Sequence, residues 1–511
     1  MKIHSLLIRK GKVWIILYGA YVVLFFIYLL FIPILEPYWA EINITVSGWV
    51  GFDFNIIFMI FIIIIVPLIY GLVLLIVNMR RFVLNSRKKP HLFHKIFPII
   101  LIILYTVLIF IFIELLEDYK YTIFHFFEFY SYFIFLGIDI VLFLLIYPLV
   151  KYKSKLKLLF SERFLAPESK RLIFISIIII VYITSLIIPL TFLPANIIDG
   201  SLPQKPKLIA HRGASYMAPE NTIKAGEVAL AYSEVVGWEV DIQISFDGVP
   251  FLMHDHTLKR TTNVSDHFPN RKDEDPSLFT ISELKELDAG SWFVEKDPYG
   301  SISKGIISSE QAASYRGLRI PTFEEVLNFT RDNNISIDFD PYQPPESHPY
   351  HDDFYEILLN LTLDSGINLS KVMIPTTNLA FLQLINSTAP EVLLGWGGSP
   401  SLNEFQNSPF NYSYINTGDG YKHREYRILI NAGLDIMVWT IESEERFSQL
   451  WCLGIKWVKT NSPYKFNALE SPLFYLDSVS YYITWIIMII AFVFVVLFLS
   501  LSLPKKVKEI Y

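Results

Sequence analysis

Hydrophobic positions along this chain follow two regimes. Up to residue 193, and again from 481 to 503, they form unbroken runs; in between they come in short bursts separated by amphipathic stretches. The long runs cover about residues 13–35, 56–77, 96–116, 131–150, 172–193 and 481–503. Each is long enough to cross a hydrocarbon core about 30 Å thick as a helix. A core helix of a soluble protein would carry a polar stripe, and these runs have none. The first is too long, and followed by too many others, to be only a cleaved leader. The pattern predicts a five-span block over 1–194, a sixth span over 480–503 and a short tail, 504–511. The bursts, at 207–211, 237–243, 335–340, 372–375, 392–395, 412–416, 435–440 and 456–460, predict strands with helical stretches between them. Strand–helix alternation repeated eight times predicts an α/β fold, a (β/α)8 TIM barrel over 207–469 inserted between transmembrane helices five and six. The stretch at about 257–320 has no place in the alternation and reads as a small insertion.

Charge orients the spans. The N-terminus carries Lys2, Arg9, Lys10 and Lys12. The second loop carries Arg80, Arg81, Arg87, Lys88, Lys89 and Lys95 without an acid, the fourth is rich in lysine, and the tail has Lys505, Lys506 and Lys508. Intervening loops are acidic or neutral, with Glu36, Glu41 and Asp53 after the first span. All basic loops therefore fall on one side. The expectation is an integral membrane protein of the plasma membrane, with both termini cytoplasmic and the barrel outside. Asn-x-Ser/Thr triplets at Asn43, Asn263, Asn328, Asn334, Asn360, Asn368, Asn386 and Asn411 all fall on that outer side and permit glycosylation, so a glycoprotein is expected. Cys452 is the only cysteine, which leaves the outer domain without an internal disulfide. A formal net charge of −6 carries no nucleic-acid footprint. Asp139 lies mid-span in the fourth run, with Glu114 and Glu128 near membrane ends; helix–helix hydrogen bonding is the expected role of such acids here.

The chemistry concentrates in residues 208–263, where His211 and His254 stand with Glu220, Glu239 and Asp241. The first burst ends in His211-Arg212-Gly213, a strand delivering polar groups at its tip. In Trp238-Glu239-Val240-Asp241-Ile242 the carboxylates are two residues apart and share one face of a strand. Two like charges on one buried face are costly unless a cation lies between them. Two imidazoles beside a carboxylate-held cation suit acid–base chemistry on a phosphate ester. Any one of these residues alone is more often a hydrogen-bonded core or surface group; the ordered set carries the reading.

That set, His211-Arg212-Gly213, Pro219-Glu220-Asn221-Thr222, Glu239-x-Asp241, Asp247-Gly248-Val249-Pro250, His254-Asp255 and Arg260-Thr261-Thr262, resembles the glycerophosphodiester phosphodiesterase family, and in particular its multi-pass membrane members with an extracellular catalytic domain. Asp288-Ala289-Gly290-Ser291-Trp292-Phe293, Val438-Trp439-Thr440 and Thr460-Asn461-Ser462-Pro463 extend the resemblance over about 207–463. It implies the same barrel and a metal-dependent phosphoric diester hydrolase. The products are glycerol phosphate, or a phosphorylated headgroup, and an alcohol. One divalent cation, Ca2+ or Mg2+, is implied at Glu220, Glu239, Asp241 and Asp340, because an all-oxygen donor set disfavours zinc. Arg212 is implied as the phosphate-binding cation and Trp439 as a pocket wall, with a core aromatic as the alternative. His211 is assigned as base and His254 as acid. The attacking group is implied to be the glycerol's own neighbouring hydroxyl, by way of a cyclic phosphate. Partners are a glycerophosphodiester or lipid-headgroup substrate and membrane lipids. On the third strand Asp338 and Asp340 share a face, and the following Pro344-Pro345 context favours Asp340 as ligand. The basic residue usual two positions later is missing, Asp340 or Tyr342 standing there. A phospholipase D or sphingomyelinase-like hydrolase shares the paired histidines and the Glu-x-Asp spacing. A silent receptor or scaffold is the alternative outside enzymes.

Overall fold

The computed structural model describes residues 55–83, 90–115, 193–473 and 475–501, with residues 187 and 190 and scattered positions from 14 to 32. The chain divides into two units, Met1–Pro194 with Asp477–Tyr511, and Ala195–Leu476.

In the first unit, helices Ile56–Val83, Leu92–Leu115 and Ser478–Leu501 lie on the second, third and sixth apolar runs. Among the described residues one helix, Phe58–Arg81, is long and apolar enough to cross a membrane. Tyr21, Phe25 and Tyr28 pack with Ile64 and Leu68 in one buried cluster. Two hydroxyls here find partners, Tyr105 donating to the Ile63 carbonyl at 2.7 Å and Tyr28 meeting the Thr106 hydroxyl at 2.8 Å, whereas the buried Tyr21 hydroxyl has none among the described residues. Leaving such groups unpaired away from water costs several kcal/mol on the order of magnitude of amide transfer. The fourth run with Asp139, almost all of the fifth, Glu128, Asn43 and the tail 504–511 lie outside the described residues.

The second unit is a closed barrel of eight parallel strands: β1 Lys207–Ala210, β2 Val235–Ile244, β3 Ser336–Pro341, β4 Val372–Pro375, β5 Leu393–Gly397, β6 Tyr414–Thr417, β7 Asp435–Val438 and β8 Trp457–Thr460. Each strand pairs with the next, and β8 pairs back onto β1 with Val458 opposite Leu208, so no edge remains. Eight helices follow the strands: α1 Ile223–Ala229, α2 Phe323–Asp332, α3 Phe354–Asp364, α4 Leu379–Thr388, α5 Leu402–Gln406, α6 His423–Asn431, α7 Glu444–Leu453 and α8 Pro463–Asn467. Polar caps start several of them, Thr222 for α1 and a Thr322/Glu325 capping box for α2. Every predicted burst is a strand of the barrel. Short helices between residues 264 and 313 occupy the predicted insertion. The hairpin strand Pro250–Leu252, antiparallel to the end of β2, is too short to leave an alternating pattern.

Strand alternation sorts side chains into two cores. Leu208, Trp238, Val240, Ile337, Phe339 and Val458 face the helices and join the main core. Ile209, Met373, Tyr414 and Met437 form a separate apolar layer inside the barrel. Gly395 makes room for this layer, since a Cβ there would lie 2.4 Å from the Tyr414 ring. Next to it the interior turns ionic: Lys459 of β8 is ion-paired with Asp338 of β3, and both are buried. Breaking a buried pair on one side leaves a charge with no partner, at about 3–5 kcal/mol. Lys459→Met should therefore lower the melting temperature of the full-length protein steeply, and adding Asp338→Asn should recover most of the loss. Equal stability of the two variants would show that the pair does not hold the barrel.

The ends of this unit are laced together. The Leu476 N–H donates to the Asn196 carbonyl at 3.1 Å, and the Asn196 side chain donates to the Leu473 carbonyl at 3.2 Å. Lys205 Nζ donates to the Leu469 carbonyl at 2.7 Å. Two triplet asparagines have structural work: the Asn263 and Asn368 side chains accept the backbone N–H of Asp288 and of Ser370.

Candidate active site

The site is built where strand ends deliver polar groups to one mouth of the barrel. His211 follows β1 directly. Arg212 and Gly213 then take positive φ, +53° and +79°, which turns the chain sharply. Gly213 has no substitute here, because a Cβ would lie 2.5 Å from the Ala225 Cβ in α1 in a conformation that L residues rarely adopt. The turn points the Arg212 N–H at Glu239 Oε2, 2.8 Å away.

Glu239 and Asp241 project inward from β2, and Asp340 joins them from β3, where it lies opposite Asp241 in the strand register. One carboxylate oxygen from each falls within 4.8 Å of the other two. Asp338, one layer away, is committed to Lys459. The strand pairing thus separates the two aspartates that the sequence leaves as alternatives: Asp340 stands with the acids and Asp338 with the lysine. Glu220 is linked to Asp241 through Arg212, which pairs with both. Its carboxylate takes two hydrogen bonds from Arg260, at 2.6 and 2.7 Å, and one from Arg212 at 3.1 Å. Arg260 also donates to Asp255, and Asp255 Oδ1 meets His254 Nδ1 at 2.8 Å. The hairpin after β2 is what brings His254 back, with the Met253 N–H bonded to the Asp241 carbonyl. A continuous chain of charge thus runs from Asp241 through Arg212, Glu220, Arg260 and Asp255 to His254.

These surroundings split the two histidines. Burial, then the Arg212 charge, pushes His211 down to about 4, which keeps it neutral. The Asp255 hydrogen bond raises His254 and favours its protonated form. Burial pushes Glu239 up to about 7, with Asp340 and Asp338 adding repulsion against the pull of Lys459. Burial and then Glu239 push Asp241 up to about 7. Among the described residues, the fixed cations that face Glu220, Glu239, Asp241, Asp255, Asp338 and Asp340 are Arg212, Arg260 and Lys459. An excess of buried carboxylate with oxygen donors alone fits a hard divalent cation at Glu239, Asp241 and Asp340.

Trp439 follows β7 and is 41% exposed, its ring about 3.3 Å from where a Cβ on Gly418 would stand. It is therefore a mouth residue and not a core aromatic. His256 and Tyr342 meet edge to face at the same end of β3, with centroids 4.7 Å apart. Three site residues escaped the sequence reading. Arg260 was legible as part of a motif but not as the clamp on Glu220. Lys459 shows only as a lysine inside an apolar strand. Glu442, after β7, accepts the Asn461 N–H at 2.7 Å and a Ser462 hydroxyl, and no spacing rule links it to β8.

Residues 211–465 match the Glycerophosphoryl diester phosphodiesterase family. The chain is 31% identical over 320 residues to glycerophosphoinositol inositolphosphodiesterase GDPD2 of Mus musculus, a match covering 62% of this chain and 57% of that protein. It is 30% identical over 326 residues to glycerophosphodiester phosphodiesterase domain-containing protein 5 of Gallus gallus, covering 62% and 52%. The glycerophosphodiester phosphodiesterase of Bacillus subtilis (strain 168) is 27% identical over 283 residues, covering 52% of this chain and 87% of that protein. The chain spans a little over half the length of the first two. With its barrel, its mouth of acids and histidines and these matches, the chain belongs to the glycerophosphoryl diester phosphodiesterase family.

Proposed function

We propose that this protein is a membrane-anchored, metal-dependent phosphodiesterase that hydrolyses glycerophosphodiesters by paired histidine acid–base catalysis. One observation carries the reading: a neutral-leaning His211 and a proton-holding His254 share the mouth of the barrel with the Glu239, Asp241 and Asp340 carboxylates. A bound divalent cation would supply Lewis-acid polarisation of the phosphate and of the attacking hydroxyl. Glu220, Glu239, Asp241 and Asp340 would hold it, with Ca2+ or Mg2+ suited to the oxygen donors. Glu220 also keeps Arg212 and Arg260 in place.

His211 takes the proton of the attacking hydroxyl as that oxygen bonds to phosphorus. Arg212, anchored by Asp241 and Glu220, neutralises charge on the phosphoryl oxygens. His254 passes its proton to the departing alcohol oxygen as the second P–O bond breaks. Where the attacking hydroxyl is the glycerol's own, water then opens the cyclic phosphate, giving its proton to His254 while His211 returns one to the glycerol oxygen, and the hydrogen bond to the Asp255 carboxylate favours the restored imidazolium. Trp439 and Tyr342, both exposed at the mouth, flank the alcohol. The name of the mouse relative places glycerophosphoinositol among the substrates to be tried here.

The apolar runs and their charged loops support a barrel inserted between the fifth and sixth of six spans and facing outward. Intact cells expressing the protein test activity and orientation together. Glycerophosphocholine, glycerophosphoethanolamine and glycerophosphoinositol are supplied outside, and product is measured before and after lysis. Turnover before lysis is expected. Turnover only after lysis would reverse the orientation and keep the activity. No turnover of any diester in either state, with Ca2+ or Mg2+ present, would remove the enzymatic reading.

A further inference from the structure

His211 is bound on its far side by a residue that no step above uses. Its Nδ1 lies 2.7 Å from Asn461 Oδ1, and the Ser215 hydroxyl donates to that same oxygen at 2.6 Å. An amide oxygen only accepts, so Nδ1 carries the hydrogen and the lone pair is left on Nε2. The other side of the ring agrees. Nε2 stands 3.8 Å from Glu239 Oε2, too far for an N–H···O bond that a protonated Nε2 would form with a carboxylate.

Asn461 is itself held in place. It is the first residue after β8, and its N–H donates to Glu442 Oε1 at 2.7 Å. The Ser462 hydroxyl donates to Glu442 Oε2, and the Thr460 hydroxyl donates to Oε1 at 3.3 Å. The Asn461 carbonyl accepts the Tyr216 N–H at 3.1 Å, and the His211 N–H donates to the Thr460 carbonyl at 2.9 Å. Glu442 sits on the loop between β7 and α7. One carboxylate therefore latches two neighbouring loops of the mouth and fixes the rotation of the Asn461 backbone beneath the histidine.

We infer that Asn461 sets His211 in the Nδ1–H tautomer, and that Glu442 is the buttress that holds Asn461 in position to do so. Both are positioning residues. Neither reaches the reacting atoms; they act by deciding which nitrogen of His211 presents a lone pair to the substrate. The tautomer follows from hydrogen bonding alone, while its effect on rate rests on the proposed role of His211 as base.

The test is 15N NMR of the full-length protein with labelled histidines, at a pH where His211 is neutral. The His211 resonances are identified by their loss in His211→Gln. Wild type should show a protonated Nδ1 and a bare Nε2. Asn461→Asp keeps the acceptor and should keep that pattern and most of the activity. Asn461→Leu and Glu442→Leu should move the hydrogen to Nε2 and lower kcat by about 10² or more with little change in KM, as when a base is held in its wrong tautomer. A bare Nδ1 in wild type, which an amide turned the other way would produce, overturns the inference without any variant, so a misfolded Asn461→Leu cannot rescue it. Retention of the wild-type pattern in Asn461→Leu overturns it as well. A tautomer that moves while kcat stays constant supports the inference and sinks the base assignment of His211 instead.

Discussion

Replacing either His211 or His254 by alanine is expected to lower kcat by about 10²–10⁴, the range for loss of one acid–base group. The two variants should differ in what rescues them. His254 is proposed to protonate a leaving alcohol, so its loss matters only when that alcohol is a poor leaving group. A glycerophosphodiester carrying a nitrophenol needs no proton as it departs. His254→Ala should recover most of its rate on such a substrate, and His211→Ala should not. The environments give the reason. His211 is partly buried beside Arg212, which disfavours its charged form, whereas His254 is exposed and bonded to the Asp255 carboxylate, which favours it. Steady-state rates of the two variants on the two substrates are the measurement. The reverse pattern of rescue would exchange the roles, and full activity of either variant on both substrates would remove that residue from the mechanism.

Much of this arrangement was legible before any coordinates, for physical reasons that can be named. Barrel strands keep an apolar face toward the helices, so 207–211 and 335–340 announce themselves as bursts, and their ends place His211 and Asp340 at the mouth. Glu239 and Asp241 follow from the two-residue period of a strand. The resemblance favours Asp340 over Asp338, but the partner that occupies Asp338 is not legible from its own strand: Lys459 stands on the last strand, and only closure of β8 onto β1 brings it within reach of β3. The same holds for the clamp on Glu220, a residue that its place in the motif implies as a cation ligand: Arg260 lies on the segment after the β2 hairpin, whose path no alternation encodes. Glu442 and Asn461 belong to loops, where hydrogen bonding decides position and hydrophobic patterning says nothing. In the first unit the signal is apolar length alone. It located helices Ile56–Val83 and Leu92–Leu115, and it carries no information on how side chains such as Tyr28 and Thr106 meet.

Removal of divalent cations is expected to abolish turnover and to lower the melting temperature, and Ca2+ or Mg2+ should restore both. A ligand bound only by the folded state stabilises it by about 2.7 kcal/mol at a hundredfold excess over its dissociation constant. The carboxylates add a sharper consequence. Glu239, Asp241 and Asp340 lie within 4.8 Å of one another, and two of them are buried. Without a cation this repulsion works against the fold. Glu239→Gln removes one of the charges while its amide oxygen can still accept the Arg212 N–H now bonded to Glu239 Oε2. In chelator, the variant should therefore melt above wild type. In millimolar Ca2+ or Mg2+ the order should invert, because wild type gains the full binding energy and the variant does not. Thermal denaturation of both proteins in both conditions reads the crossing directly and needs no substrate. A variant that melts below wild type with and without cation would mean that Glu239 serves the barrel as an ordinary buried hydrogen-bond acceptor. A variant that keeps its lead in Ca2+ or Mg2+ while both proteins gain equally from the ion would place the cation site elsewhere in the molecule.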